Sequence, residues 1–310
     1  LSDRLGRVLV TGANGHLGRR LLVALSGAQP PRETRALVRS ERAARQVAAA
    51  AAAGVETVVL DYADAAALGR AAEGCTHAVH LVGILKESST SRYPQAHEET
   101  ARALARAAES RGLQRIVYLS ILGSHPDARN ACLASKGRAE AILLEAKTPA
   151  LVLRVPMVLG EGDLASRALR RQARSTLAPL LRGGASREQP IYAGDVVEAI
   201  LAGVTKPDLD DLALDLAGPE SLSRRALLER AARLHGSRPR VIPVPLSANL
   251  ALAWLLERVL PDPPVTPAML GVLDHDDVVD PSAACRRLAL ELTPLDETLR
   301  RCVAPTQADA

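Results

Sequence analysis

The sequence predicts an α/β fold, a doubly wound parallel sheet with a smaller, discontinuous, mostly helical second domain. Three observations carry that prediction. Short β-branched or Leu/Val runs alternate with longer Ala/Leu/Arg segments of helical period through the first half of the chain. The strand runs are apolar without strict alternation, as expected of strands covered by helices on both faces. After Pro156 the alternation stops, and clustered Arg and Gly over 161–193 replace it.

Taken in order, strands are expected at Val8–Thr11, Thr34–Val38, Val55–Leu60, His77–Val82, Arg115–Ser120 and Ala150–Val155, each a compact run of Val, Ile, Leu or Thr. Helices fill the intervals at Leu17–Ser26, Ser40–Ala53, Asp64–Ala72, Pro94–Arg111 and Ala131–Ala146. Gly54 and Gly74 close the second and third helices as left-handed caps. The Ala48–Ala53 run reads as a helix face, because Ala is the best helix former. A strand pattern returns at Leu212–Leu216, and the tail from Pro219 is helical with many prolines. The expected organisation is a doubly wound domain over 1–160 to which 194–217 returns. A smaller domain, built from 161–193 and 218–310, rests on the carboxyl edge of the sheet, where open α/β folds hold ligands.

Composition narrows the function classes. The 310 residues carry 39 Lys+Arg against 35 Asp+Glu, a net charge of +4, and 47% are hydrophobic. There are five aromatic residues, Tyr62, Tyr93, Tyr118, Tyr192 and Trp254, and no Phe. Stacking on single-stranded nucleic acid needs aromatic platforms that this chain does not offer, and its arginines are dispersed, so no nucleic-acid partner is expected. Cys75, Cys132, Cys285 and Cys302 are widely spaced, which indicates neither zinc nor a disulfide framework and suits a reducing, cytoplasmic setting. The N-terminus shows no charged-then-apolar leader, and no stretch of about 20 apolar residues occurs, so a soluble protein is expected. The run Asp274–Asp277 offers ligand-type side chains, but consecutive residues rarely converge on one ion, and no metal is expected. Arg167, Arg170, Arg171 and Arg174 share a helical face, read as solvated rather than as an anion grip. Ser247–Leu260 is a strongly apolar helix, read as packing within the second domain in preference to roofing a lipophilic pocket or touching a membrane.

The chemistry begins at Val8–Gly18, a strand followed directly by Gly12, Gly15 and Gly18 and then a helix. Glycines there permit a tight turn and close backbone approach to a pyrophosphate, which then faces the helix N-terminus. This is the phosphate loop of a Rossmann-like sheet. An acidic residue about 20 positions on would mark NAD, whereas Arg accommodates a 2′-phosphate. The second strand ends in Val38-Arg39-Ser40 with Arg42 and Arg45 beyond, so NADP(H) is the preferred cofactor and NAD the alternative.

Several stretches resemble the extended and atypical short-chain dehydrogenase/reductases, the epimerase/dehydratase-like group. They are Thr11-Gly-Ala-Asn-Gly-His-Leu-Gly18, Asp61 after the third strand, Arg154-Val-Pro156, Gln189-Pro-Ile-Tyr-Ala-Gly-Asp-Val196 and Leu216-Ala-Gly-Pro219. Within that group, His80-Leu-Val-Gly-Ile-Leu85 and the tail resemble the branch of the dinucleotide-binding accessory subunit of respiratory complex I and its bacterial relatives. The resemblance implies that Gly12, Asn14, Gly15, His16, Leu17 and Gly18 line the pyrophosphate and that Arg39 meets the adenosine ribose. It places Asp61 and Tyr62 by the adenine, Val82 and Gly83 along the middle of the cofactor, and Pro156 and Val158 near the nicotinamide. Asp195, before Val-Val-Glu-Ala-Ile, reads as an ordinary N-cap.

Active members of the group carry Tyr, three residues, then Lys, the Lys charge lowering the phenol pKa for proton transfer. Here the pattern is Cys132-Leu-Ala-Ser-Lys136, with Lys136 one of four lysines and still suited to the nicotinamide ribose. The carbonyl-polarising Ser falls at Ser120, or with a one-residue shift at Ile121, and the supporting Asn position is His97. Cys132 is either a thiolate poised by Lys136 or a small buried filler. Among the tyrosines, Tyr93 and Tyr192 are the two that could reach a substrate from loops. The expected function is an NADP(H)-dependent oxidoreductase or epimerase acting on a small, lipophilic carbonyl or alcohol, with Lys136, Cys132 and Ser120 as candidate catalytic residues. The alternative is a non-catalytic dinucleotide-binding module that serves a protein partner.

Overall fold

The computed structural model describes residues 6–50, 54–260, 263 and 265–305. The first half alternates as β1 (Arg7–Thr11), α1 (His16–Gly27), β2 (Thr34–Val38), α2 (Glu41–Ala48), β3 (Val55–Val59), α3 (Ala65–Ala71), β4 (Cys75–His80), α4 (Thr100–Arg111), β5 (Arg115–Ile121), α5 (Ala131–Leu144) and β6 (Ala150–Val155). There follow β7 (Val158–Leu159), α6 (Leu164–Ala173), β8 (Leu177–Leu181), β9 (Arg187–Glu188), β10 (Ile191–Tyr192), α7 (Ala193–Thr205) and β11 (Leu212–Asp215). The remainder is β12 (Leu222–Ser223), α8 (Arg224–Arg233), β13 (Arg240–Val244), α9 (Leu246–Val259), α10 (Pro267–Leu273), α11 (Ser282–Leu288) and α12 (Leu295–Cys302).

Seven parallel strands form the main sheet in the order β11-β6-β5-β4-β1-β2-β3. Alternate side chains feed two cores: Val8 and Val10 face α1 and α7, while Leu9 faces α3 and α4 with Leu104, Tyr118 and Leu143. A third core joins Leu159, Leu169, Leu180, Leu227, Leu228 and Leu299 from the discontinuous, more helical region. The doubly wound class is thus observed. Strand order reverses at β1/β4, the place where such sheets open a ligand crevice.

Some boundaries differ from the sequence reading. β4 starts at Cys75, directly after the left-handed Gly74, and stops at His80. Helix α2 ends at Ala48, so Gly54, also left-handed, turns the chain into β3 instead of capping the helix; Ala51–Ala53 lie outside the described residues. The stretch expected as one helix from Pro94 begins as a π-helical turn, Pro94–Glu99, where the Thr100 hydroxyl donates to the carbonyls of Ala96 and His97. Among the described residues no helix is long and apolar enough to cross a membrane.

Candidate functional site

The turn between β1 and α1 owes its shape to residues that lack side chains. Gly12 sits at φ +70, and a Cβ on it would stand 3.2 Å from the Leu81 backbone. A Cβ on Gly18 would stand 2.6 Å from the carbonyl oxygens of Gly12 and Ala13, so only glycine lets α1 approach the turn this closely. Gly15 caps α1 without a side-chain bond, and no acidic residue enters the first turn. The first N–H groups of α1 are therefore free for an anion. His16 accepts from Arg20 Nε at 3.0 Å, and burial together with the Arg20 charge lowers its pKa, keeping the ring neutral. Asn14 donates to Gln46 at 3.3 Å, and Leu17 packs on the first core.

Tyr62 pins this turn. Its phenol accepts from Gly12 N at 3.0 Å and donates to Leu37 O at 2.7 Å, and burial pushes its pKa up to about 12. Arg39, Asp61, Tyr62 and Val82 line one cavity of about 490 Å3, together with Gln95 and Thr100. Arg39 is exposed at the end of β2, whereas the Ser40 hydroxyl is taken up in capping α2 at Ala43 N. A side-chain-free turn, an uncapped helix start and a cation beside a cavity of nucleoside size fit a dinucleotide.

At the carboxyl ends of β4 and β5 lies the second cluster. Lys136 is 4% exposed, donates to Leu119 O at 2.9 Å and Val82 O at 3.4 Å, and stands over the Tyr118 ring at 4.5 Å. A Cβ on Gly83 would meet Lys136 Nζ at 2.9 Å, so glycine is what leaves the ammonium room. Among the described residues no carboxylate is in ion-pair contact with it, and burial lowers its pKa to about 8 against the weaker opposing effects of Cys132 and Glu140. Cys132, one turn earlier, is fully buried and donates to Ile84 O at 3.5 Å. Burial raises its pKa to about 11 despite the opposing pull of Lys136 and Tyr93, so the thiol is protonated at neutral pH.

Sequence reasoning did not foresee that the Tyr93 phenol reaches this thiol. It donates to Leu85 O at 2.9 Å, interacts with Cys132 and Thr266, and is raised well above the usual phenol range by burial. His97, fully buried, accepts from Ile84 N at 3.0 Å, and burial, with Lys136 nearby, lowers its pKa to about 3. His80, marked in the sequence only within the His80–Leu85 resemblance, also lies against the cluster, and burial with Lys136 nearby lowers its pKa to about 3. Its Nδ1 is 2.7 Å from Thr11 Oγ1 and its ring stacks on Tyr118. Asn130 caps α5, accepting from Cys132 N at 3.0 Å, and donates to Ala268 O at 2.8 Å, which holds α10 over the cluster.

Ser120 turns elsewhere. Its hydroxyl donates to the buried Glu140, which is paired with Arg154 at 2.6 Å, so it belongs to a polar chain behind the sheet end. Ile121 ends β5, and Pro156 and Val158 are half-buried just beyond β6. Asp195 corrects the N-cap expectation: it lies in the first turn of α7 and accepts from Thr293 N at 2.9 Å and Thr293 Oγ1 at 2.7 Å, tying α7 to the approach to α12. Arg170 departs from a uniformly solvated basic face, donating to the Cys302 and Val303 carbonyls at the end of α12, while Arg167, Arg171 and Arg174 are exposed. Tyr192 bonds Glu161 at 2.7 Å. Side chains of Asp274 and His275 go to separate partners, Arg182 and Asp277. The apolar face of α9 is not packed away: Leu252, Trp254, Leu255 and Val259 are exposed.

Comparison with known proteins adds to this geometry. A family described as NAD(P)H-binding matches residues 12–178. A ceramide reductase from Caulobacter vibrioides is 31% identical over 260 residues, covering 83% of this chain and 79% of that protein. The mitochondrial NADH dehydrogenase [ubiquinone] 1 alpha subcomplex subunit 9 of Arabidopsis thaliana is 27% identical over 179 residues, 56% of this chain and 44% of its own length. Among solved structures, a UDP-glucuronic acid 4-epimerase from Bacillus cereus, in complex with UDP-glucuronic acid and NAD, aligns with TM-score 0.72 at 16% identity. That alignment covers 96% of this chain and 98% of the epimerase.

Proposed function

The chain belongs to the NAD(P)H-binding family, within the extended, epimerase/dehydratase-like short-chain dehydrogenase/reductases, and from that premise we propose that it is an NADP(H)-dependent oxidoreductase acting on the carbonyl or alcohol of a lipophilic small molecule. One observation carries the catalytic part. Lys136 is a buried ammonium with no carboxylate in ion-pair contact among the described residues, beside Gly83, where a Cβ would stand 2.9 Å from its Nζ. Such a charge costs stability, so its presence calls for a ligand that uses it. A bound nicotinamide supplies or takes up the hydride. Lys136 would hold the hydroxyls of the adjoining ribose. The Cys132 thiol and the Tyr93 phenol both stay protonated at neutral pH and would donate to a substrate oxygen by exchanging their bonds to the Ile84 and Leu85 carbonyls.

Arg39 supports the phosphorylated cofactor, because a guanidinium at the end of β2 suits a 2′-phosphate and Asp61 is occupied in a turn with Ala63 N at 3.0 Å. The 31% identity to a ceramide reductase supports a lipid carbonyl over a UDP-sugar. A binding module without turnover is the reading that Cys132 favours, since its thiol is bonded to the Ile84 carbonyl.

The test pairs cofactor titration with turnover. NADPH should bind more tightly than NADH, and Arg39→Asp should cost NADPH at least about tenfold while leaving NADH nearly unchanged. NADPH absorbance should fall with long-chain keto-amides and not with UDP-sugars, and Lys136→Met should remove that loss. Tight NADPH binding with no oxidation by any carbonyl offered would leave the non-catalytic module.

A further inference from the structure

We propose that α9, with the β8/β13 ribbon leading into it, is a docking face for an anionic lipid bilayer; the proposal rests on the lipid reading above for its purpose. Twelve large apolar side chains are exposed among the described residues, and seven of them belong to β8, β13, α9 and the residue that ends α9. On α9, Leu252, Leu255 and Val259 recur at helical spacing and are 54%, 51% and 68% exposed, while Ala253 on the other side is 1% exposed. The helix has turned its larger residues to the outside. Leaving these half-exposed apolar side chains in water forgoes hydrophobic stabilisation, and a patch of this kind marks a contact surface. At 14 residues, α9 is about 21 Å long, too short to span a bilayer and suited to lying on one.

Charge selects the occupant. Between Arg238 and Leu260 there are three arginines, Arg238, Arg240 and Arg258, and one acid, Glu257, all exposed. The Arg258 guanidinium stacks over Trp254 at 3.8 Å, an aromatic and a cation together at the edge of an apolar face. Near an anionic membrane each such arginine is drawn to the surface. A second copy related by a two-fold axis would put two sets of these arginines into one interface.

Position gives the face a use. The chain returns from α9 into α10, the segment that reaches Tyr93 through Thr266 and Asn130 through Ala268. Lys86 donates to Pro263 O at 2.7 Å, holding that return to the loop before Tyr93. A cavity of about 340 Å3 lies between this loop and the end of α9, lined by Glu87, Arg92, Arg258 and Leu260. A lipid leaving the bilayer at α9 is thereby adjacent to the cluster of Cys132 and Lys136.

The experiment is flotation of the NADPH-loaded full chain with vesicles of phosphatidylcholine alone or of equimolar phosphatidylcholine and phosphatidylglycerol. Trp254, the one tryptophan, reports the contact directly. The expected result is binding to the anionic vesicles with a blue shift of Trp254 emission. Leu255→Asp with Val259→Asp should weaken that binding at least about tenfold, and Arg258→Glu should erase the anionic preference. NADPH affinity should be unchanged in both variants, which shows that they fold. No binding to either vesicle, equal binding by the double variant, or a concentration-dependent dimer that the double variant abolishes would overturn the proposal. Turnover of a water-soluble short-chain keto-amide tests the reductase reading separately. Docking without turnover removes that reading alone, and turnover without docking removes this inference alone.

Discussion

Replacing Lys136 by Met should stabilise the ligand-free fold while abolishing function. The ammonium is buried with no carboxylate in ion-pair contact among the described residues, and its pKa falls from 10.5 to about 8, equivalent to roughly 3 kcal/mol against the charged form at neutral pH. Met removes that penalty but also the donor to the Leu119 and Val82 carbonyls, at about 1 kcal/mol each. The net expectation is a gain of about 1 kcal/mol at pH 7, read by urea unfolding. The pH dependence gives a cleaner test. Between the folded pKa near 8 and the unfolded value of 10.5 the unfolded chain holds the extra proton, so wild-type stability rises with pH across that window. Subtracting the Met variant cancels the tyrosines and isolates this rise, expected at roughly 3 kcal/mol in full. A variant destabilised by more than about 2 kcal/mol at pH 7, or a wild-type-minus-variant difference flat from pH 8 to 10.5, would refute the claim that Lys136 is held at the expense of stability.

Three further outcomes are expected. Cys132, with its pKa near 11, carries about one thiolate in ten thousand at pH 7, so iodoacetamide should label the half-buried Cys285 first; faster labelling of Cys132 in the folded protein would show a poised thiolate. His77, His80 and His97 have folded pKa values near 4, 3 and 3, so their contribution is full above the unfolded value of 6.5 and is lost as the pH falls below it. Stability should drop by up to about 1.4 kcal/mol per pH unit for each, and a flat urea midpoint from neutral to pH ~5 would contradict this. Gly18→Ala should cost roughly 1–3 kcal/mol and weaken dinucleotide binding more than about tenfold, because its Cβ would meet two carbonyl oxygens at 2.6 Å; calorimetric titration showing wild-type affinity would argue against the role given to the turn.

Local chemistry was legible and long-range partnership was not. The strands Thr34–Val38 and Ala150–Val155 end where their residue patterns end, and the glycine turn is written in residue identity, since a backbone without room for Cβ admits nothing else. Asp195 looked like a cap because Gly-Asp before an apolar run is the same string whether the carboxylate turns to its own helix or to Thr293, 98 residues away. Tyr93 and Cys132 are likewise joined only by folding, and a Tyr at the start of a helix carries no sign of which thiol it will meet. Periodicity announced the apolar face of α9, but a period states which residues share a face and not what covers it.

The interleaving of the chain also governs the order in which the molecule forms. β11 pairs with β6 only after the first part of the third core has been laid down, so β6 remains an open parallel edge until residue 215 has been synthesised. Arg115 waits over the same interval. Its buried guanidinium is satisfied by the carbonyls of Gly203, Lys206 and Pro207 and by Asp210, all supplied by that returning segment. The first six strands thus depend on the returning segment for one sheet edge and for the partners of one buried charge. Both the β6 edge and the Arg115 guanidinium are satisfied only when β11 and the end of α7 are in place together.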